Sequence, residues 1–157
     1  MYNALTGRTE RVGNWAGVTV DKKESPIKSH YHEGEELIAV DLPGAYSMSP
    51  FTAEESVTKD YIINERPDVI INIVDATNLS RSLFFTTQLL ELGVPVVVAL
   101  NKADINMKKE TEINVHILSE KLGCPGINTI STIFTHESLH QIVDAVVCEK
   151  GQVQNAP

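Results

Sequence analysis

Three short groupings in this 157-residue chain have residue types and spacings that could do chemistry. The first is Asp41-Leu42-Pro43-Gly44, which closes the apolar run Ile38-Ala39-Val40. A strand ending this way brings a carboxylate and a backbone N–H to the mouth of an α/β sheet. There the acid can hold Mg²⁺ through water, and the glycine N–H can meet a terminal phosphate. A plain strand closing in a Pro-Gly turn has the same spelling. The second is Asn101-Lys102-Ala103-Asp104, after the apolar run from Val94 to Leu100. An aspartate at the end of such a loop accepts from both N1–H and the N2 amino group of guanine, a pairing adenine cannot match. The third is His136-Glu137-Ser138-Leu139-His140. Histidines four apart share a helix face and can bind Zn²⁺, with the glutamate as general base.

The zinc reading needs a third ligand downstream, where Glu149 is the remaining donor before the tail. A further donor set, His30-x-His32 among Glu33, Glu35 and Glu36, lies at a polar stretch that holds Pro26 and Gly34 and also reads as a solvated turn.

The elements that must position these residues follow from the apolar periodicity. Tyr2 to Gly7 reads as the last turn of a helix closed by Gly7. Arg8 to Gly17 reads as a loop, with Trp15 as a contact residue or a residue tucked against the sheet. Val18-Thr19-Val20 starts a strand, and the polar residues 21–35 form a hairpin or loop into a strand at 37–41. Thr52 with Glu55 is a capping-box pattern that starts a helix running to about Asn64, before Pro67. A strand at 69–74 ends at Asp75, and a helix over 79–92 ends before Gly93. The strand from Val94 to Leu100 runs into Asn101, and a helix over about 111–121 ends at Gly123. A weaker strand, 127–130, ends at Ser131-Thr132, and a last helix covers about 137–149. This alternation predicts an α/β fold with a doubly wound, mostly parallel sheet, whose ligands bind at the carboxyl ends of strands. Residues 1–150 read as a single domain and 151–157 as a frayed tail.

Composition narrows the function classes. With 42% hydrophobic and 22% charged residues, the chain is that of a soluble globular protein. A net charge of −8 without a basic cluster argues against nucleic acid as partner. Two cysteines, Cys124 and Cys148, are too few for a disulfide framework and point to a reducing compartment. No apolar run approaches the roughly 20 residues that cross a bilayer.

Taken together, the motifs resemble a known family. Asn-Lys-x-Asp after a buried strand is the guanine-reading element of small GTPases. Asn3-Ala4-Leu5-Thr6-Gly7, Val12-Gly13-Asn14-Trp15-Ala16-Gly17-Val18-Thr19-Val20 and Val40-Asp41-Leu42-Pro43-Gly44-Ala45-Tyr46-Ser47 are similar to the cytosolic G domain of ferrous iron transport protein B. Val74 to Leu79 and Leu89 to Gly93 continue a likeness that covers roughly residues 3–132. The resemblance implies that Thr19 reaches Mg²⁺ and the γ-phosphate, that Asp41 and Gly44 form the second switch, and that Asn101, Lys102 and Asp104 read guanine. It implies that Ser131 and Thr132 begin the loop backing the base. GTP or GDP with Mg²⁺, and K⁺, are the implied cofactors. The implied partner is the transporter's membrane channel, with the domain on the cytoplasmic side of the cell membrane and soluble as this chain.

The chain departs from that family in three respects. These 157 residues contain no Gly-x-x-x-x-Gly-Lys-Ser/Thr phosphate loop. The expected sheet therefore lacks its central first strand, between the strands at 37–41 and 69–74, as in a chain that begins after it. Ile133-Phe134-Thr135-His136 stands where the family has a glycine-bearing turn, and the family's helical and channel domains do not follow. The phosphate loop supplies most of the grip on the β- and γ-phosphates. The expectation is thus a guanine-nucleotide switch domain with weakened nucleotide affinity and negligible hydrolysis. A nucleotide-free binding or structural piece is the alternative, and a zinc hydrolase a distant one.

Overall fold

The computed structural model describes residues 5–7, 11–14, 21–28, 36–42, 53–101, 114–128 and 136–149. They belong to two compact units, Met1–Arg66 and Pro67–Pro157.

In the first unit, β1 (Arg11–Asn14), β2 (Asp21–Pro26) and β3 (Ile38–Asp41) form an antiparallel sheet in that order. Arg11 to Asn14 reads as loop by sequence, because Val12 is its one apolar side chain. It becomes a strand through its ladder to β2, with Arg11 opposite Glu24 and Asn14 opposite Asp21. Val18 to Val20, the expected strand start, and Trp15 lie outside the described residues. The expected hairpin into the 37–41 strand is realised as β2 running antiparallel to β3. Gly7 closes its helical turn in the left-handed conformation (φ +71°), as expected of a C-cap, and Lys28 N–H donates to Leu5 O at 2.9 Å. Helix α1 (Ala53–Glu65) ends where Arg66 takes a positive φ of 44°, the residue before Pro67 being barred from the right-handed helical region. Thr52 of the capping box lies outside the described residues.

In the second unit, β4 (Ile70–Asp75), β5 (Val96–Asn101) and β6 (Gly126–Asn128) form the expected parallel sheet, with β5 in the centre. A short 3₁₀ turn (Ala76–Asn78) leads from β4 into α2 (Leu79–Glu91). Helix α3 (Val115–Leu122) precedes β6, and α4 (His136–Glu149) follows it. Val96 to Leu100 are all buried, as a strand paired on both edges and covered on its faces requires. Leu89 and Leu90 of α2, and Leu139, Ile142 and Val143 of α4, complete this core. Helix α4 packs on β5 and β6, α2 on β4, and α3 on β6.

Helix α3 starts at 115 and not near 111. Asn114 is extended (φ −79°, ψ 100°) and its side-chain oxygen accepts from Ile117 N–H at 3.1 Å, which makes it the N-cap. Gly123, left-handed at φ 71°, ends the helix where the sequence places its end. Among the described residues, β3 and β4 are each an outer strand of their own sheet. Ile38 on β3 and Ile73 on β4 are 63% and 51% exposed.

Between α3 and β6, Cys124 is buried and its carbonyl accepts from the Ser119 hydroxyl at 2.6 Å. Burial pushes the Cys124 thiol up to about 11, and the Glu149 carboxylate adds to the effect. Because the unfolded thiol loses its proton near 9, stability tied to Cys124 is present below pH 9 and lost as pH rises toward 11. Burial, with Glu24 and Glu65, also raises the Tyr61 phenol, so the Cys124 share must be read by difference. Urea unfolding at pH 8, 9.5 and 11 should show a fall about 1–3 kcal/mol smaller in Cys124→Ala than in the parent.

Candidate functional site

The carboxyl end of the parallel sheet is where a ligand would sit. β4 ends at Asp75 and β5 at Asn101, and the two are register partners on adjacent strands. Both are half-buried. Asn128, which ends β6, is exposed, and Leu100 is its register partner. Asn101 thus leaves the sheet at the point where Lys102-Ala103-Asp104 begins, beside a carboxylate to which sequence reasoning assigned no role. The signal for Asp75 was available, since an acid closing a buried strand is the same feature that singled out Asp41.

A polar chain between β4 and α2 sets the position of Asp75. Its backbone N–H donates to Ser82 Oγ at 3.3 Å. One turn along α2, Thr86 Oγ1 donates to the Ser82 carbonyl at 3.2 Å and accepts from the Asn72 side-chain amide. Thr86 is fully buried. Asn72, half-buried, interrupts the apolar run of β4, and its amide supplies a donor to the Thr86 hydroxyl oxygen, which is cut off from water.

Asp41 ends β3 in the first unit, exposed, with Lys23 of β2 as its register partner. Thr19, Gly44, Lys102, Asp104, Ser131 and Thr132 lie outside the described residues, as do His30, His32, Glu33 and Glu35. Glu36 is exposed just before β3. Of the His-Glu-x-x-His grouping, His140 Nδ1 lies 2.9 Å from Asp144 Oδ2 on α4. Among the described residues no three His, Cys, Asp or Glu side chains converge on a common metal position. No helix among them is long and apolar enough to cross a membrane.

An α/β chain whose parallel sheet releases Asn-Lys-x-Asp from its central strand is a P-loop GTPase G domain, and solved structures of such domains share its fold. Residues 1–146 match the family described as ferrous iron transport protein B, and the chain belongs to that family. It is 46% identical over 136 residues to the Fe(2+) transporter FeoB of Salmonella typhimurium, and equally to that of Escherichia coli strain K12. Each match covers 84% of this chain and 17% of the relative, so the chain spans about a sixth of the length of these curated relatives. Among solved structures, a variant of S. thermophilus NFeoB bound to GDP superposes with a TM-score of 0.83 at 43% identity. That match covers 95% of this chain and 56% of the other. The cytosolic domain of the T. maritima FeoB iron transporter in its GMPPNP form gives 0.85 at 30% identity, over 98% and 60% of the two chains.

The Asn72–Thr86–Ser82 chain yields a direct expectation. Thr86→Val keeps the shape but strands the Asn72 amide, and should cost about 1–3 kcal/mol in urea unfolding. Thr87, whose hydroxyl donates to the Phe84 carbonyl at an exposed position, should tolerate the same change within about 0.5 kcal/mol.

Proposed function

We propose that this chain is the guanine-nucleotide switch of a ferrous iron transporter. The observation that carries the reading is Asn101 at the end of the buried central strand, opening Asn101-Lys102-Ala103-Asp104 beside Asp75. The solved relatives support it, two of them being GDP and GMPPNP forms. Asp104 accepts from guanine N1–H and N2, Asn101 meets the base edge, and the Lys102 stem covers the purine face. Ser131 and Thr132 begin the loop behind the base.

In the same reading Gly44 N–H meets the γ-phosphate, and Thr19 and Asp41 hold Mg²⁺. The exposed carboxylate of Asp41, at the end of β3, suits a water-mediated contact with that ion. Mg²⁺ would neutralise charge on the phosphates, and K⁺ would add to this. Thr19 and Gly44 are ordered by the γ-phosphate and released on its loss, and the released segments signal to the transporter's membrane channel from the cytoplasmic side. The activity of this chain alone is reduced. Its 157 residues hold no Gly-x-x-x-x-Gly-Lys-Ser/Thr loop, and a net charge of −8 offers a triphosphate no long-range attraction. Without that motif, these 157 residues taken alone also fit the alternative of a binding piece without nucleotide.

Calorimetric titration with GDP and ADP, in Mg²⁺ with K⁺ or Na⁺, separates these readings. Weak GDP binding without ADP binding is expected, and Asp104→Ala should lower GDP affinity about 100-fold by removing two hydrogen bonds to a carboxylate. Silence with both nucleotides from folded protein would leave a binding piece. GTP turnover lost on Asp41→Ala would overturn the claim of negligible hydrolysis.

A further inference from the structure

We propose that Asp75 is a positioning residue for guanine recognition: its carboxylate, at the end of β4, sets the orientation of the Asn101 side-chain amide at the end of β5. The inference rests on the nucleotide reading above and adds to it a residue which that reading leaves without a role. Asp75 and Asn101 are register partners in a parallel ladder, each the last residue of its strand. Side chains alternate along a strand, and register partners on neighbouring strands, about 4.8 Å apart, share a face. Asn72 gives its amide to Thr86 of α2, so Asp75, three positions on, lies on the opposite face with Ile73. Asn101 shares that face, following Val97 and Ala99, both buried. Asp75 and Asn101 are themselves half-buried.

Both strand ends are held in place. The Asp75 backbone N–H donates to Ser82 Oγ at 3.3 Å, and the Thr86 hydroxyl donates to the Ser82 carbonyl at 3.2 Å. Asn101 follows five buried residues of the central strand, Val96 to Leu100. With the backbones fixed, the remaining choice is which end of the Asn101 amide faces the ligand. An amide and its flipped form have one shape and differ only in where the donor and the acceptor sit. A carboxylate on the same face settles that choice, because it attracts the NH₂ group and repels the amide oxygen. One hydrogen of the NH₂ group turns to Asp75, and the other is presented to the ligand. Guanine offers N7 and O6 on the edge that Asn101 meets, and both are acceptors, so a donor is what that edge requires. Plain Coulomb repulsion predicts the reverse. A carboxylate close to an anionic nucleotide weakens binding, and its removal should tighten it. The sign of the effect therefore separates the two.

The test titrates the full chain with GDP by NMR, which reads weak binding. Asp75→Ala should lower GDP affinity about tenfold, the effect of losing one hydrogen bond to a charged group. Asp75→Asn should lower it less, since its side-chain oxygen still accepts. Asp68→Asn, which removes an exposed charge ahead of the other end of β4, should leave it unchanged. With 7-deaza-GDP, which lacks the N7 acceptor, the step between parent and Asp75→Ala should shrink to less than about threefold, because the two changes remove one interaction. Without nucleotide, ¹H–¹⁵N spectra should show the Asn101 side-chain amide displaced in Asp75→Ala and unmoved in Asp68→Asn. Ser82→Ala keeps the carboxylate but releases its backbone; it should displace the same resonance, and it serves if Asp75→Ala does not fold. Equal or tighter GDP binding by Asp75→Ala, an Asn101 amide that does not move, or an undiminished step with 7-deaza-GDP would overturn this inference and leave the nucleotide reading standing. Absence of GDP binding by the folded parent would overturn both.

Discussion

The burial of β5 is the constraint on which the second unit depends. Val96 to Leu100 have no exposed surface to speak of, and their backbone is paired on both edges by parallel ladders to β4 and β6. Apolar burial of about 1.5–3 kcal/mol per side chain makes any slip of this strand expensive. Its carboxyl end is therefore a rigid origin for the Asn101-Lys102-Ala103-Asp104 loop. In the proposed reading the loop pairs with a base and needs that rigidity, because discrimination by a bidentate hydrogen bond is lost when the carboxylate wanders.

β4 meets the same demand by a different route. Among the described residues it is an outer strand of its sheet, with Val74 fully buried, Ile73 exposed and its other side chains half-buried. Less apolar burial is available to it, and the polar chain from Asn72 through Thr86 to Ser82 and the Asp75 N–H holds it to α2. Such a chain adds little net stability, but it specifies one register, since any shift would leave buried polar atoms unsatisfied.

In the proposed reading the nucleotide roles divide along the sequence. Thr19, Asp41 and Gly44, the residues for metal and γ-phosphate, fall in the first unit, whereas Asn101, Lys102, Asp104, Ser131 and Thr132, the residues for the base, fall in the second. The base-reading set grows out of a parallel sheet with a fully buried centre. Asp41 ends an edge strand of an antiparallel sheet whose strands are short and partly polar. A switch benefits from that asymmetry, because the half that reads the base must stay fixed while the half that senses the γ-phosphate changes state.

Local features were legible in the sequence. The 3.6-residue periodicity placed α2 and α4 within a residue or two, the apolar run after Gly93 became β5, and Gly7 and Gly123 closed helices as C-caps. Asn-Lys-x-Asp and Asp-x-x-Gly are the basis of the proposed chemistry, and each motif depends on a few neighbouring residues. Other features arose only from contacts between residues far apart in the chain. Arg11 to Asn14 has no strand pattern of its own and is a strand because β2 pairs with it. Asn72 looks like a flaw in an apolar run until Thr86, fourteen residues later, accepts its amide. Asp75 comes to lie beside Asn101 through the parallel register of two strands separated by a whole helix. Periodicity and capping are set within a turn or two of chain, so the sequence by itself determined the helices and the buried central strand. Pairing and register depend on which distant surfaces bury one another, so the tertiary structure alone decided which of those residues stand side by side.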